Sequence, residues 1–202
     1  MKLDFFKMQA QGNDYIYFDF IDKPLPEIDL SKLAIKLSKR NFSIGSDGIV
    51  LILNSNTCDC KMRMFNADGS EGTMCGSALR CVCFFLSQQT GKSKITVETL
   101  AGNKTGLIKN EKERLVTTDL GVPEFIKNEK IAINNHEGYL ISVGNPHYVT
   151  FMTSLSENIA RYQGHIIDNP AYFPEGINVE FVKIINKNEI EIKVWERGSG
   201  AT

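Results

Sequence analysis

Apolar and polar positions alternate along the chain in short stretches, and most stretches fit a strand better than a helix. Tyr15–Asp19 is aromatic and β-branched, Lys61–Phe65 alternates with a period of two, and Ile49–Leu53 is an unbroken apolar run of the kind a strand buried on both faces shows. Further short strands are predicted over Ile95–Thr99, Lys104–Ile108, Leu115–Asp119, Leu140–Val143, Tyr148–Phe151, Val179–Ile185 and Ile190–Trp195. Two stretches have helical spacing instead. One is Leu30–Ser38, with Leu30, Leu33, Ala34 and Leu37 on one face. The other is Cys75–Leu86, with Leu79, Val82, Phe85 and Leu86. Many strands and few helices predict an α+β fold. Turn residues at Leu120-Gly121-Val122-Pro123 mark a boundary between a half at 1–119 and a half at 120–202.

The halves echo one another. Gly12-Asn13 and Gly144-Asn145 each precede a strand at an offset of 132 residues. Placing Phe65 on Trp195 gives an offset of 130, and both strands run into a Gly/Ser-rich turn, Asp68-Gly69-Ser70 and Gly198-Ser199-Gly200. Two offsets that agree this closely predict a duplicated fold with a site between its halves. The first copy continues from Phe65 to Cys75; carried forward from Trp195, that spacing lands just past Thr202. The second half is therefore expected to be incomplete.

Composition narrows the function. The 202 residues are 42% hydrophobic and 23% charged, with a formal net charge of -1, so no overall field favours nucleic acid or an acidic membrane surface. No apolar stretch is long enough to span a membrane, and the N-terminal Lys2, Asp4 and Lys7 interrupt the apolar core a signal peptide needs. Five cysteines, an odd number, fit free thiols in a reducing cytoplasm better than a disulfide framework. The pairs Cys58/Cys60 and Cys81/Cys83 have one intervening residue, poor spacing for zinc, and no metal is expected.

The segment from Phe65 to Arg80 carries the strongest chemistry. A strand ends, the polar turn Asn66-Ala67-Asp68-Gly69-Ser70-Glu71 follows, and Cys75-Gly76 opens a helix. A cysteine there feels the positive end of the helix dipole, which favours thiolate. The unsatisfied N–H groups of the first turn can hold a carboxylate, and Gly76 lets a ligand come close to the backbone. One element could thus grip an amino acid's carboxylate and set a base beside its α-carbon. On the residues alone, a structural cysteine beside a capped turn fits as well. Singly, Asn13, Asn145 and Asn178 suit turns, His147 a surface position, and Glu196 with Arg197 a solvated pair.

Taken in order, these segments resemble the diaminopimelate epimerase family, whose members are cofactor-independent amino-acid epimerases and racemases that use two cysteines. The matching stretches are Asn66–Glu71 with Met74-Cys75-Gly76, Gly12-Asn13-Asp14, Ile44–Gly48, Gly144-Asn145-Pro146-His147, Phe173–Phe181, and Val194–Gly200. The resemblance implies two pseudo-symmetric halves, each a curved β-sheet wrapped around a central helix. It implies inversion of the α-carbon of LL-diaminopimelate to the meso form without a cofactor, in the synthesis of lysine and peptidoglycan precursors. Cys75 would be one of two acid/base thiols, with His147 and Glu196 assisting. Asn13, Asn66, Asn145 and Asn178 would bind the substrate's amino and carboxylate groups. Gly76 and Ser77 would offer helix-terminal N–H groups, and Glu196 and Arg197 would recognise the substrate. A homodimer in the cytoplasm, with a small amino acid as its partner, is implied too. The family's second Cys-Gly helix would begin beyond Thr202. Two departures, Ser77-Ala78 in place of Asn-Gly and Gln9-Ala10 in place of His-Gly, bear on substrate choice. They keep open a racemase of another amino acid, and the missing second cysteine keeps open a truncated, non-catalytic amino-acid-binding relative.

Overall fold

The computed structural model describes residues 2–202. The chain divides into two compact units, Met1–Gly121 and Val122–Thr202.

The first unit contains β1 (Phe6–Ala10), β2 (Asn13–Asp19), α1 (Leu30–Ser38), β3 (Gly48–Leu53), β4 (Cys60–Asn66), β5 (Glu71–Gly72), α2 (Gly76–Thr90), β6 (Lys94–Thr99), β7 (Gly102–Asn110) and β8 (Leu115–Asp119). Its sheet runs in the order β1-β2-β3-β4-β6-β7-β8, with β5 paired to β4. Helix α2 touches β1 at one edge of this sheet and β7 and β8 at the other, besides β2 and β6. A flat sheet could not reach one helix from both edges, so this one curls around α2.

Alternation along β2 and β3 explains their unbroken apolar runs. Tyr15, Tyr17, Val50 and Ile52 join the cluster around α2. Ile16, Phe18, Ile49 and Leu51 join a second cluster on the opposite face, beneath α1. In α2, Leu79, Val82 and Leu86 lie one turn apart on the buried stripe; burial contributes about 1.5–3 kcal/mol for each such side chain. Asp29 caps α1 by accepting from Lys32 N at 3.0 Å, and Gly91, in the left-handed region at φ 70°, ends α2.

The second unit contains β9 (Glu124–Phe125), β10 (Ile131–Ile133), β11 (His136–Ser142), β12 (Pro146–Phe151), α3 (Ile159–Ile167), β13 (Asn178–Asn186), β14 (Glu189–Glu196) and β15 (Gly200–Ala201). The sheet order is β10-β11-β12-β13-β14-β15, with β9 on β11. Helix α3, which the sequence pattern did not predict, packs on β13, β14 and β15 and buries Tyr148, Val179 and Phe181 beneath it. On the other face Phe151, Ile184, Ile190 and Ile192 stand exposed.

The halves are pseudo-symmetric. In the first, an antiparallel pair β1-β2 leads through α1 to β3, parallel to β2, then to antiparallel β4 and its short partner β5. In the second, β11-β12 leads through α3 to parallel β13, then antiparallel β14 and short β15. The registers agree. Tyr15 pairs with Gly48 and Gly48 with Asn66; His147 pairs with Asn178, and the β13–β14 ladder aligns Asn178 with Glu196. Asn66 and Glu196 are thus equivalent at an offset of 130, and Asn13 and Asn145 at 132, the two values read from the sequence.

Candidate active site

The expected site residues fall into two groups, one in each unit. In the first unit, Cys75 is the N-cap of α2, with extended backbone (φ -137°, ψ 121°), and its carbonyl accepts the first helical bond from Leu79 N at 2.9 Å. The Cys75 side chain makes no capping hydrogen bond, so it leaves the first-turn N–H groups at Gly76 and Ser77 their capacity for an anion. Asn13, at the start of β2, donates from Nδ2 to Cys75 Sγ at 3.7 Å. Its Oδ1 is buried and has no hydrogen-bond partner among the described residues. A buried amide oxygen left unpaired costs about 1–3 kcal/mol, and an N–H from a ligand would recover it.

Tyr17, two residues beyond Tyr15 on the same face of β2, is fully buried. Burial first, then the nearby sulfurs of Cys81 and Cys75, push its phenol well above the ordinary range, so it stays protonated. Asn66 ends β4, and its Nδ2 is committed to Ser70 Oγ at 3.0 Å within the Asn66–Ser70 turn. Three other cysteines are packing residues. Burial pushes the Cys83 thiol up to about 12 and raises those of Cys60 and Cys81 as well.

A charged cluster flanks Asn13; the sequence reading singled out none of its members as site residues, although Asp14 and Asp47 lie in the matching stretches. Asp14 and Asp47 clamp two backbones together: Asp47 N donates to Asp14 O at 2.7 Å, and Asp14 N to Asp47 Oδ2 at 2.9 Å. Arg40 Nη2 bridges both carboxylates at 2.5 and 2.8 Å, and Lys7 Nζ lies 2.6 Å from Asp14. Burial pushes the Asp14 carboxyl up, but hydrogen bonds from Arg40 and Lys7 outweigh it and hold it at about 2. Burial wins for Asp47, which is raised. The available signal was Asp47 in the loop Ile44–Gly48; Arg40 gave none, being an ordinary basic residue after a helix.

In the second unit His147 stands between two acceptors. Its Nδ1 lies 2.6 Å from Glu180 Oε1 and its Nε2 3.0 Å from Asn145 Oδ1. Glu180 was not singled out from sequence, although an acidic residue between Val179 and Phe181 in an apolar strand is itself a signal. Asn178 is buried, donates to Pro146 O at 3.1 Å, and accepts from Arg197 N at 3.0 Å, so it ties β12 to the end of β14. Arg197 reaches back to Glu175 O at 3.1 Å with its stem against Gly176. Glu196 closes the β14–β15 ladder opposite Gly200. Among the described residues no helix is long and apolar enough to cross a membrane.

Comparison with known proteins places this geometry. The sequence model of the family described as diaminopimelate epimerase matches residues 5–126 and 139–202. A diaminopimelate epimerase of Methanococcus maripaludis is 42% identical over 99% of this chain and 78% of its own length. One from Bacillus cytotoxicus is 38% identical over 100% of this chain and 77% of its own. Among solved structures, a probable proline racemase from Agrobacterium radiobacter with bound carbonate aligns over 99% of this chain and 72% of its own, with a TM-score of 0.71 and 14% identity. A hydroxyproline epimerase from Agrobacterium vitis with bound trans-4-hydroxy-L-proline aligns over 98% of this chain and 71% of its own, at 0.66 and 13% identity. These last two speak for the fold alone, two pseudo-symmetric halves, while the family match and the closer sequences carry more: the chain belongs to the diaminopimelate epimerase family.

Proposed function

We propose that this protein is a cofactor-independent epimerase that inverts the α-carbon of LL-diaminopimelate to give the meso form, with Cys75 as one acid/base group. The observation that carries the reading is the Asn13–Cys75 pair. One amide donates to the sulfur while its other end, a buried oxygen, lacks a partner. An α-ammonium group is a fitting donor to that oxygen, and it would bring the α-carbon close to Sγ. The first turn of α2, which the Cys75 side chain does not cap, is a fitting site for the neighbouring carboxylate.

In the forward direction the Cys75 thiolate takes the α-proton, becoming a thiol, and the electron pair stays on the α-carbon and its carboxylate. Helix N–H groups stabilise the developing negative charge. A second acid on the opposite face delivers a proton and completes the inversion. The buried phenol of Tyr17 stays protonated near Cys75 and cannot compete as a base. Asn66, Asn145, Asn178, Glu196 and Arg197 are proposed as substrate contacts, with His147 acting beside the reacting centre. The pathway setting is the synthesis of lysine and peptidoglycan precursors. A cytoplasmic homodimer is proposed with it, and the odd number of cysteines, five, fits a reducing compartment.

The test incubates the chain with LL-diaminopimelate in deuterated water. Uptake of deuterium at one α-carbon, abolished by Cys75→Ala, supports the assignment of Cys75, and appearance of the meso form supports full inversion. No uptake with bound substrate would leave an amino-acid-binding relative.

A further inference from the structure

His147 has two neighbours that, as they stand, both accept hydrogen bonds. Glu180 Oε1 lies 2.6 Å from Nδ1, a short, charge-assisted distance. An ionised carboxylate can only accept, so Nδ1 carries a proton. The carboxylate has little else to hold it: its side chain is 13% exposed, and Oε2 is buried with no hydrogen-bond partner among the described residues. The variable nitrogen is Nε2, 3.0 Å from Asn145 Oδ1.

Two arrangements satisfy this geometry. When Nε2 also bears a proton, it donates to Asn145 Oδ1, and the Asn145 NH₂ group is presented outward as a donor. When Nε2 is bare, the Asn145 amide must turn by half a revolution and donate from Nδ2, which presents its oxygen outward as an acceptor. Asn145 would bind a carboxylate in the first state and an ammonium group in the second. Across the ladder His147 pairs with Ile141 on β11 and Asn178 on β13, neither of which titrates. Glu196 is the next carboxylate on that face, one strand further on β14.

We propose that Glu180 is a positioning residue which, by holding the proton on His147 Nδ1, makes His147 the switch that decides which end of the Asn145 amide faces the ligand. This rests on reading Asn145 as a substrate contact, but its decisive readout needs no turnover.

The experiment is two-dimensional ¹H–¹⁵N NMR of the 202-residue chain carrying ¹⁵N-histidine, with the His147 signals identified by their loss in His147→Gln. The wild type is expected to show Nδ1 in its protonated form at neutral pH. Glu180→Ala is expected to move the neutral ring to the Nε2-protonated form. Glu180→Gln keeps the shape and an acceptor at Nδ1, and serves as the folded control, in which the Nδ1 proton stays. A bare Nδ1 in the wild type, or an unchanged His147 pattern in Glu180→Ala, overturns the proposal. A binding cycle with LL-diaminopimelate adds a second test. Glu180→Ala and Asn145→Ala are each expected to weaken binding about tenfold, and the double variant little more than either. Fully multiplicative losses would overturn it as well.

Discussion

Asn13 and Cys75, 62 residues apart in sequence, meet through a single amide–sulfur contact of 3.7 Å at the mouth of α2. The contact joins the start of a strand to the start of a helix, and each end can be altered singly. Cys75→Ser is expected to leave α2 at least as stable, since serine is a better N-cap than cysteine. Exchange of the substrate α-hydrogen should fall by about 10²- to 10⁴-fold, the range for loss of a general base. Asn13→Ala should cost roughly 10- to 100-fold in the same assay, matching about 1.5–3 kcal/mol for a hydrogen bond to a charged group. Mass-spectrometric deuterium uptake beside a thermal melt checks both.

Alkylation should discriminate among the five thiols. Cys60, Cys81 and Cys83 are buried and their thiols are pushed up, Cys83 to about 12, whereas Cys75 and Cys58 are partly exposed. Iodoacetamide at pH 8 should therefore modify Cys75 and Cys58 while the other three react only after unfolding. Peptide mapping at short times reads the order; early modification of Cys83 in folded protein would contradict the packing around α2.

Gly164→Ala reverses the usual rule for helices. Alanine at an exposed helical position would stabilise by about 1 kcal/mol. Here a Cβ would come within 2.4 Å of Trp195 Cβ. The variant should lose roughly 1–3 kcal/mol through overpacking, lowering Tm by about 3–10 °C for a chain of this size. A rise in Tm would mean that α3 does not press on β14.

Acid should weaken the link between β4 and β6. Hydrogen bonds from Lys92 and from Thr96 N and Oγ1 hold the Asp59 carboxyl at about 2, below its ordinary 3.8. The group is depressed in the folded state, so its contribution is present above pH 4 and is lost as the pH falls toward 2. Asp59→Asn should cost about 1 kcal/mol at pH 7, allowing for solvent screening, and the gap to wild type should close between about pH 4 and pH 2. Urea titrations at several pH values measure it.

Legibility from sequence followed how local each cause was. Helix α1 was predicted with its observed limits because its cap, Asp29, and its apolar spacing lie within a dozen residues. Helix α3 was missed because Gly164 interrupts its pattern and Asn158 caps it with no side-chain bond. That glycine answers to Trp195, thirty-one residues on, which no local window contains. Strand β1 was missed although Phe6, Met8 and Ala10 alternate with polar residues, because it is only five residues long and lies at the sheet edge, where even its inner face is half covered. The repeat was visible because strand register preserves spacing. Arg40 and Glu180 were not visible as site residues, since their meaning lies in which neighbours the fold brings within 3 Å.

The two halves keep different things constant. From Gly48 to Asn66 and from Asn178 to Glu196 the separation is 18 residues in each case, but from Asn13 to Gly48 it is 35, and from Asn145 to Asn178 only 33. Between these landmarks, the drift since duplication lies in the excursion that carries the outer helix, α1 or α3. The inner strands behave as a ruler and the outer layer as slack. An engineer wishing to insert a tag, a hinge or a reporter into this chain should therefore cut at the outer connections, around residues 21–28 or 169–175, where evolution has already tried different lengths without moving the ruler.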